Sequence, residues 1–269
     1  MTQLKVRGLV LREYEAGESD KRLIIFCKGQ GRLMVYARGA RKPTSKFMAA
    51  AQLFTYADFV LTQGRGFYSL SQAEIIENFY ALREDYDRLM SAHMVAEVCE
   101  KTMWDNLEGD ELLRLALKSL SVLAKGLRVG GASYTAKEVP PMQVSSVFIM
   151  RFFAVYGLRP QTNACVMCNS PTLSAEPDAP HRERHPQKMV LSAEGLVCDI
   201  HKPIEHQPLS NAAISAMQYI LNNELAQAFH FTARDDILAE LHSAAHFLWK
   251  CHFERDIVSD RYTSRTKKE

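Results

Sequence analysis

Long apolar runs are missing from this chain of 269 residues. The longest, Val147 to Met150 and Phe152 to Val155, are parted by Arg151. Each falls far short of the ~18 residues a spanning helix needs, which predicts no membrane partner. The opening Met1-Thr2-Gln3-Leu4-Lys5 lacks an apolar signal core and leads straight into a strand-like pattern, so a cytoplasmic protein with reduced thiols is expected. Strong net charge is also missing, at +2, and a composition of 47% hydrophobic and 24% charged residues excludes disorder as the default. Catalytic constellations are absent too. Neither Gly29-Gln30-Gly31-Arg32 nor Gly64-Arg65-Gly66 carries the lysine and following glycine of a phosphate-cradling loop. The acidic run Glu84-Asp85-Tyr86-Asp87 fits the first turn of a helix, where carboxylates complement the dipole. His242 and His246, four apart, lack the glutamate of a zinc-protease helix and read as structural. A protein without enzymatic activity is expected.

Cysteine is scarce, with six in all, and three of the six fall into a pattern. Cys165-Val-Met-Cys168 and Cys198-Asp-Ile-His201 are separated by 29 residues and offer one tetrahedral ion four soft or borderline ligands. With every position filled by protein no place remains for a catalytic water, so the predicted site is a structural Zn²⁺ clip. A redox pair would need only Cys165 and Cys168, and would sit at a helix N-terminus after a strand. Here the pair follows the helix stop Gly157-Leu158-Arg159-Pro160 and lies in a loop. His181, His185 and His206 are spare ligand candidates. Cys27, Cys99 and Cys251 stand alone among apolar residues and are expected to be packing residues.

Charge is unevenly spread. Residues 1–50 hold eleven Lys and Arg against four acids, residues 81–160 balance, and residues 161–269 hold eleven bases against fourteen acids. The candidate surface for a polyanion is therefore the first segment. Arg38-Gly39-Ala40-Arg41-Lys42-Pro43-Thr44-Ser45-Lys46 places four cations and two hydroxyls on one loop, without an acid. Each base that neutralises a phosphate releases counterions, and Gly39 permits close approach. Lys21, Arg22, Arg32 and Arg65, near the other turns, extend the expected patch. Tyr36, Phe47, Phe54, Tyr56, Phe67 and Tyr68 offer stacking platforms if exposed, although at least two thirds of them are expected to point inward. On these residues the partner is DNA or RNA.

Five runs of strand character fill the first eighty residues: Lys5 to Tyr14, Arg22 to Lys28, Arg32 to Arg38, Gln52 to Leu61 and Phe67 to Ile76. Gly29-Gln30-Gly31 and Gly64-Arg65-Gly66 suit tight hairpins. Five strands without helical intervals predict an OB-type barrel, with an SH3-like barrel second. After Asn78 the apolar period becomes helical, with helices expected over Tyr86 to Trp104, around Leu113 to Leu127, over Val144 to Val155, and on the stripes Ile214–Leu221 and Ile237–Leu248. The expected organisation is α+β and multidomain: a nucleic-acid-binding barrel over 1–80, one helical domain over 81–160 and 205–255, an inserted zinc-binding loop over 161–204, and a flexible tail over 256–269. A mobile loop is expected between Thr172 and Gln187.

Three stretches carry a resemblance that covers nearly the whole chain. They are Gly39-Ala40-Arg41-Lys42; Gly64-Arg65-Gly66 followed by Tyr68-Ser69-Leu70-Ser71-Gln72-Ala73-Glu74; and Tyr156-Gly157-Leu158-Arg159-Pro160 leading to Cys165-x-x-Cys168. In these the chain resembles the RecO family of bacterial DNA repair and recombination mediators. The resemblance implies an OB fold that binds single- and double-stranded DNA, anneals complementary strands, and works with RecR and single-strand-binding protein to load RecA in the RecF pathway, on the nucleoid. It puts the family's basic loop on Arg38, Arg41 and Lys42, and the zinc loop on Cys165, Cys168, Cys198 and His201. Many members end that loop in cysteine, and some lack the ligands, so zinc is not essential to the family's activity. The glycine doublet often found before the second half-site is Glu194-Gly195 here. In the family the acidic tail of single-strand-binding protein docks on the helical domain. Arg114, Lys118, Lys125 and Arg128 along one predicted helix are either that dock or its solvated face. A different class stays open, a zinc-containing OB-fold RNA-binding protein of transcription or translation.

Overall fold

The computed structural model describes residues 2–64, 66–103, 109–129, 135–172, 188–253 and 256–259, with the side chains of 128, 129, 135 and 136 excepted. Five strands open it: β1 (Gln3–Ala16), β2 (Asp20–Cys27), β3 (Gly31–Ala37), β4 (Tyr56–Gln63) and β5 (Tyr68–Glu77). They close into a barrel of order β1-β2-β3-β5-β4, in which β1 pairs with both β2 and β4. Strand β1, of 14 residues, pairs with β4 along its first half and β2 along its second, and it bulges between Val10 and Arg12, where Val10 exchanges backbone hydrogen bonds with Phe54 and Thr55. Alternate residues point inward, and Val6, Val10, Leu23, Ile25, Leu33, Val35, Phe59 and Leu61 form the core. Gly8 faces that core, where a Cβ would lie 2.7 Å from Ile25 Cγ2 and 2.8 Å from the Phe26 carbonyl.

Strands β3 and β5 are parallel and meet only at Val35 with Tyr68 and Tyr36 with Ser69. The chain between β3 and β4 fills the remaining gap with Ala40, Phe47 and Ala51, all part of the core. This is why β4 begins at Tyr56 and not at the expected Gln52: Phe54, buried and at φ 65°, and the buried Thr55 complete the plug.

Helix α1 (Tyr86–Thr102) is capped by Asp85, which accepts from the Arg88 N–H at 2.8 Å, as the acidic run predicts. It packs outside β1 and β2, with His93 edge-on to Phe54 at 5.3 Å and Arg12 paired with Glu100 at 2.6 Å. Helix α2 (Asp110–Lys125) packs on α1; Asp110 accepts from Gly29 N–H at 2.7 Å, and Lys125 pairs with Glu77. A returning segment, Ile257 to Ser259, joins this unit. The buried Glu97 carboxylate of α1 accepts from the N–H groups of Val258 (2.8 Å) and Ser259 (2.9 Å), from the Ser259 hydroxyl, and from Lys101 (2.6 Å).

The second unit runs from Leu127 to Asp256. It holds a hairpin of β6 (Leu127–Val129) and β7 (Thr135–Lys137), α3 (Pro141–Val155), a sheet of β8 (Met189–Leu191), β9 (Leu196–Cys198) and β10 (Gln207–Pro208), α4 (Asn211–Asn222) and α5 (Asp235–His252). Helix α3 is the centre of this bundle, as its all-round apolar character predicts, with Phe148, Phe152 and Phe153 fully buried and α4 and α5 packed on it. The helical segment expected as one domain is thus divided, because α1 and α2 spend their apolar surface on the barrel and on each other. The expected tail from 256 is likewise held as far as Ser259; 260–269 lie outside the described residues.

Candidate metal centre and nucleic-acid interface

The two half-sites converge. Cys165, Cys168, Cys198 and His201 bring their ligand atoms within 4.8 Å of one another. Cys168 Sγ lies 3.8 Å from Cys198 Sγ, and Cys198 Sγ 3.2 Å from His201 Nδ1. Metal–sulfur bonds of ~2.3 Å require tetrahedral edges of about 3.8 Å, so the donor set fits an ion of that coordination. The first turn is tight: Cys165 N–H donates to Ser170 O at 2.8 Å and Asn169, at φ 58°, donates to Cys165 O at 2.9 Å. The second is built alike, with His201 N–H on Cys198 O at 2.9 Å. Burial raises the Cys165 thiol, but the N–H groups of Cys168, Cys198 and Met167 outweigh it and bring its pKa down to about 6. Such N–H groups favour the thiolate that a cation takes up. Burial pushes the Cys198 thiol the other way, above its ordinary value.

The remaining ligand candidates stand apart. The His206 ring faces the carbonyls of Pro203 and Ile204, while His181 and His185 lie outside the described residues. Cys27 and Cys99 are buried, and burial holds the Cys27 thiol up at about 12. Cys251 differs from expectation, being exposed on α5. His242 and His246 lie ring to ring on α5 at 4.6 Å.

The basic loop leaves β3 at the barrel end where β1 turns into β2. Asp20 accepts from the Gly39 N–H at 2.7 Å, and that bond, with the nearby charges of Arg38 and Lys42, holds its carboxyl below the usual range. Arg38, Arg41, Lys42 and Lys46 are all exposed. Arg41 is engaged, with Glu15 at 3.0 Å and the Gly17 carbonyl at 3.0 Å, and Lys46 lies over the Phe47 ring at 4.9 Å. Lys21 turns to Glu13 and the Ala51 carbonyl and closes the barrel end. Arg22 is held by a ring instead of an acid, its Cζ 5.1 Å from the Tyr14 centroid. Arg32 lies at the other end of β3, bonded to the Glu100 carbonyl at 3.1 Å, so the structure does not join it to this group. Arg65 lies outside the described residues.

Of six expected stacking residues, Phe47 and Phe54 are buried, Tyr56 is half-buried and Tyr68 packs against the core, whereas the half-buried Tyr36 and the exposed Phe67 meet on the outside at 5.3 Å. Tyr14, outside that set, is 36% exposed and stands opposite Arg22 across β1 and β2. On α2, Arg114 and Lys125 are exposed and Lys118 half-buried, on the strip opposite Leu112, Leu113 and Leu120. Arg128 belongs to β6, beyond that helix. Among the described residues no helix is long and apolar enough to cross a membrane.

A family model described as Recombination protein O N terminal matches residues 1–79, and one described as Recombination protein O C terminal matches residues 83–261. This chain belongs to the RecO family. The five barrel strands fall within the first match and the five α-helices within the second. The chain is 28% identical over 260 residues to the DNA repair protein RecO of Acetivibrio thermocellus, covering 95% of this chain and 94% of that protein. It is 33% identical over 165 residues to that of Alkaliphilus metalliredigens, covering 61% and 63%, and 29% identical over 166 residues to that of Halalkalibacterium halodurans, covering 62% and 61%.

Proposed function

We propose that this protein serves DNA repair and homologous recombination by holding DNA on its barrel, without sequence preference and without chemistry of its own. The observation that carries the reading is the basic loop, Arg38 to Lys46, whose cations Arg38, Arg41, Lys42 and Lys46 are all exposed where it opens from β3. Phosphates contacted by exposed cations supply affinity that is indifferent to sequence, and both single strands and duplexes present them. The binding surface comprises Arg38, Arg41, Lys42 and Lys46 with Arg22; Lys21 supports it from the barrel end.

A protein that neutralises two strands at once lowers their mutual repulsion, so annealing of complementary strands needs no active site. RecO membership supports RecR, single-strand-binding protein and, indirectly, RecA as partners in the RecF pathway, at the nucleoid. Arg114, Lys118 and Lys125 form the strip on which an acidic tail would dock. The Cys165, Cys168, Cys198 and His201 centre takes Zn²⁺ and serves as a clip for the second unit. All four ligands come from protein, and zinc there would supply cross-linking of two loop turns and nothing to a reaction. The domain frame that suits this reading keeps residues 1–80 as the DNA-binding body. The decisive experiment is annealing of complementary strands coated with single-strand-binding protein. Acceleration that fails when Arg38 and Lys42 are both changed to Ala supports the reading, and no acceleration over a protein-free control refutes it.

A further inference from the structure

Each half-site carries an outward apolar side chain. Met167 stands one residue before Cys168 and Ile200 one residue before His201, and each turns its N–H inward, Met167 onto the Cys165 sulfur and Ile200 onto the Cys198 sulfur. With the backbone committed to the centre, both side chains face solvent. The two turns meet where Cys168 Sγ lies 3.8 Å from Cys198 Sγ, so both tips belong to one end of the second unit. Ile204 follows in the turn between His201 and β10, where the His206 ring faces the Pro203 and Ile204 carbonyls. Ile204 is 99% exposed, Ile200 79% and Met167 68%, the three highest values among the large apolar residues described. Turns of this kind use the N–H of such a residue and not its side chain, so polar residues would serve equally. Apolar side chains exposed together mark a surface that something covers.

We infer that this end of the second unit is a contact between two copies of the protein, with Met167, Ile200 and Ile204 of one packing on the same residues of the other about a two-fold axis. Charge selects the occupant. Asp199, Lys202 and Glu205 are exposed in the same stretch, so the rim carries both signs. A two-fold contact brings residue i to j and j to i, so Lys202 of each copy meets Glu205 of the other. DNA and an anionic membrane fit less well, because residues 161–269 hold eleven bases against fourteen acids. Three side chains per copy make a contact below ~1,200 Å² of total buried surface, the size of weak and reversible association. The ligands fix both turns in advance, so docking orders little new chain. Such a contact is silent in dilute protein and engaged where copies are crowded. On the reading of the barrel as the DNA-binding body, copies held on two strands reach local concentrations on the order of millimolar, and their pairing draws the strands together for annealing.

The test is sedimentation velocity on the full-length protein, its metal content measured, at concentrations from about one to several hundred micromolar, the range suited to a contact of this size. Wild type should pass from monomer to dimer across that range. Ile200→Ser with Ile204→Ser should raise the dissociation constant about tenfold or more, while metal content holds and oligonucleotide affinity stays within about twofold. Lys202→Glu and Glu205→Lys should each pair with themselves more weakly than wild type does. An equimolar mixture of the two should recover a dimer, because in that pair every rim charge again meets its opposite. Wild type that stays monomeric across the range overturns the inference. A dimer untouched by the isoleucine variant also overturns it, since the contact then lies elsewhere. So does a mixture of charge variants that stays monomeric, the result expected where the rim meets an unlike protein. Wild type that dimerises but binds no oligonucleotide leaves the contact standing and removes the reading of the barrel.

Discussion

The backbone of Gly195 lies against that of Gln161 so closely that a Cβ would stand 2.3 Å from the Gln161 oxygen and 2.5 Å from its nitrogen. Gln161 N–H donates to Glu194 O at 2.9 Å, and Leu196 N–H returns to Gln161 O at 2.8 Å. This clamp brings the chain entering Cys165 against the chain entering Cys198. Gly195→Ala should therefore cost about 3 kcal/mol or more, because only backbone stands in the way and φ is 144°. Gly157→Ala, at φ 84° with open space around it, should cost only about 1 kcal/mol of strain. Thermal unfolding compares them, and metal content measured on the same samples should fall for the first variant and hold for the second.

Removing the zinc proposed for the Cys165, Cys168, Cys198 and His201 centre is expected to act on stability before it acts on DNA. Its ligands belong to the second unit, whereas the loop of Arg38 to Lys46 belongs to the first. Chelation, or Cys168→Ser, should lower the melting temperature, with oligonucleotide binding at 20 °C kept until unfolding sets in. An apo protein that melts as the holo protein does would contradict a structural role.

Five strands and five helices were legible in the sequence because period and turn residues are local properties. The paired half-sites were legible for the same reason, since Cys165-x-x-Cys168 and Cys198-x-x-His201 each fit in one turn. What escaped was set by contacts between distant residues. No local signal shows that Gln52 to Thr55 plugs a barrel end instead of extending β4, or that α1 belongs to the barrel. Lys21 and Arg22 are adjacent and equal in charge, yet one faces the barrel end and its ion pair while the other faces Tyr14 outside. The alternation of strand faces separates them only once the register is known.

Glu97 predicts a pH response. Burial raises its pKa, but hydrogen bonds from Lys101, from the Ser259 hydroxyl and N–H, and from Val258 N–H outweigh this, so the carboxyl is held below its ordinary 4.5. A carboxyl with a depressed folded-state pKa stabilises the fold above its unfolded pKa and loses that contribution as pH falls through the folded value. The wild-type melting temperature should thus drop as pH is lowered below about 4.3, and Glu97→Gln should be less stable at pH 7 and flatter through that window. Faster proteolysis after residue 256 in the variant would follow from release of Ile257 to Ser259. If both proteins show the same pH slope, Glu97 is not the group responsible.

The cations of the barrel should separate by their partners. Arg38 and Lys42 face solvent near Asp20, whereas Arg41 is tied to Glu15 and the Gly17 carbonyl, and Lys21 to Glu13. An engaged cation must leave its acid before it can neutralise a phosphate, and its acid then repels the strand. Removing Arg38 or Lys42 should therefore weaken binding to every sequence alike and lower the slope of log affinity against log salt by about one each. Arg41→Ala removes a cation but frees Glu15, so it should reduce affinity while changing the slope less. Lys21→Ala should act mainly through stability, since it leaves Glu13 half-buried without its partner. Salt titrations of the four variants on one oligonucleotide check the order, and equal slopes for Arg38→Ala and Lys21→Ala would show that exposure does not select the phosphate contacts.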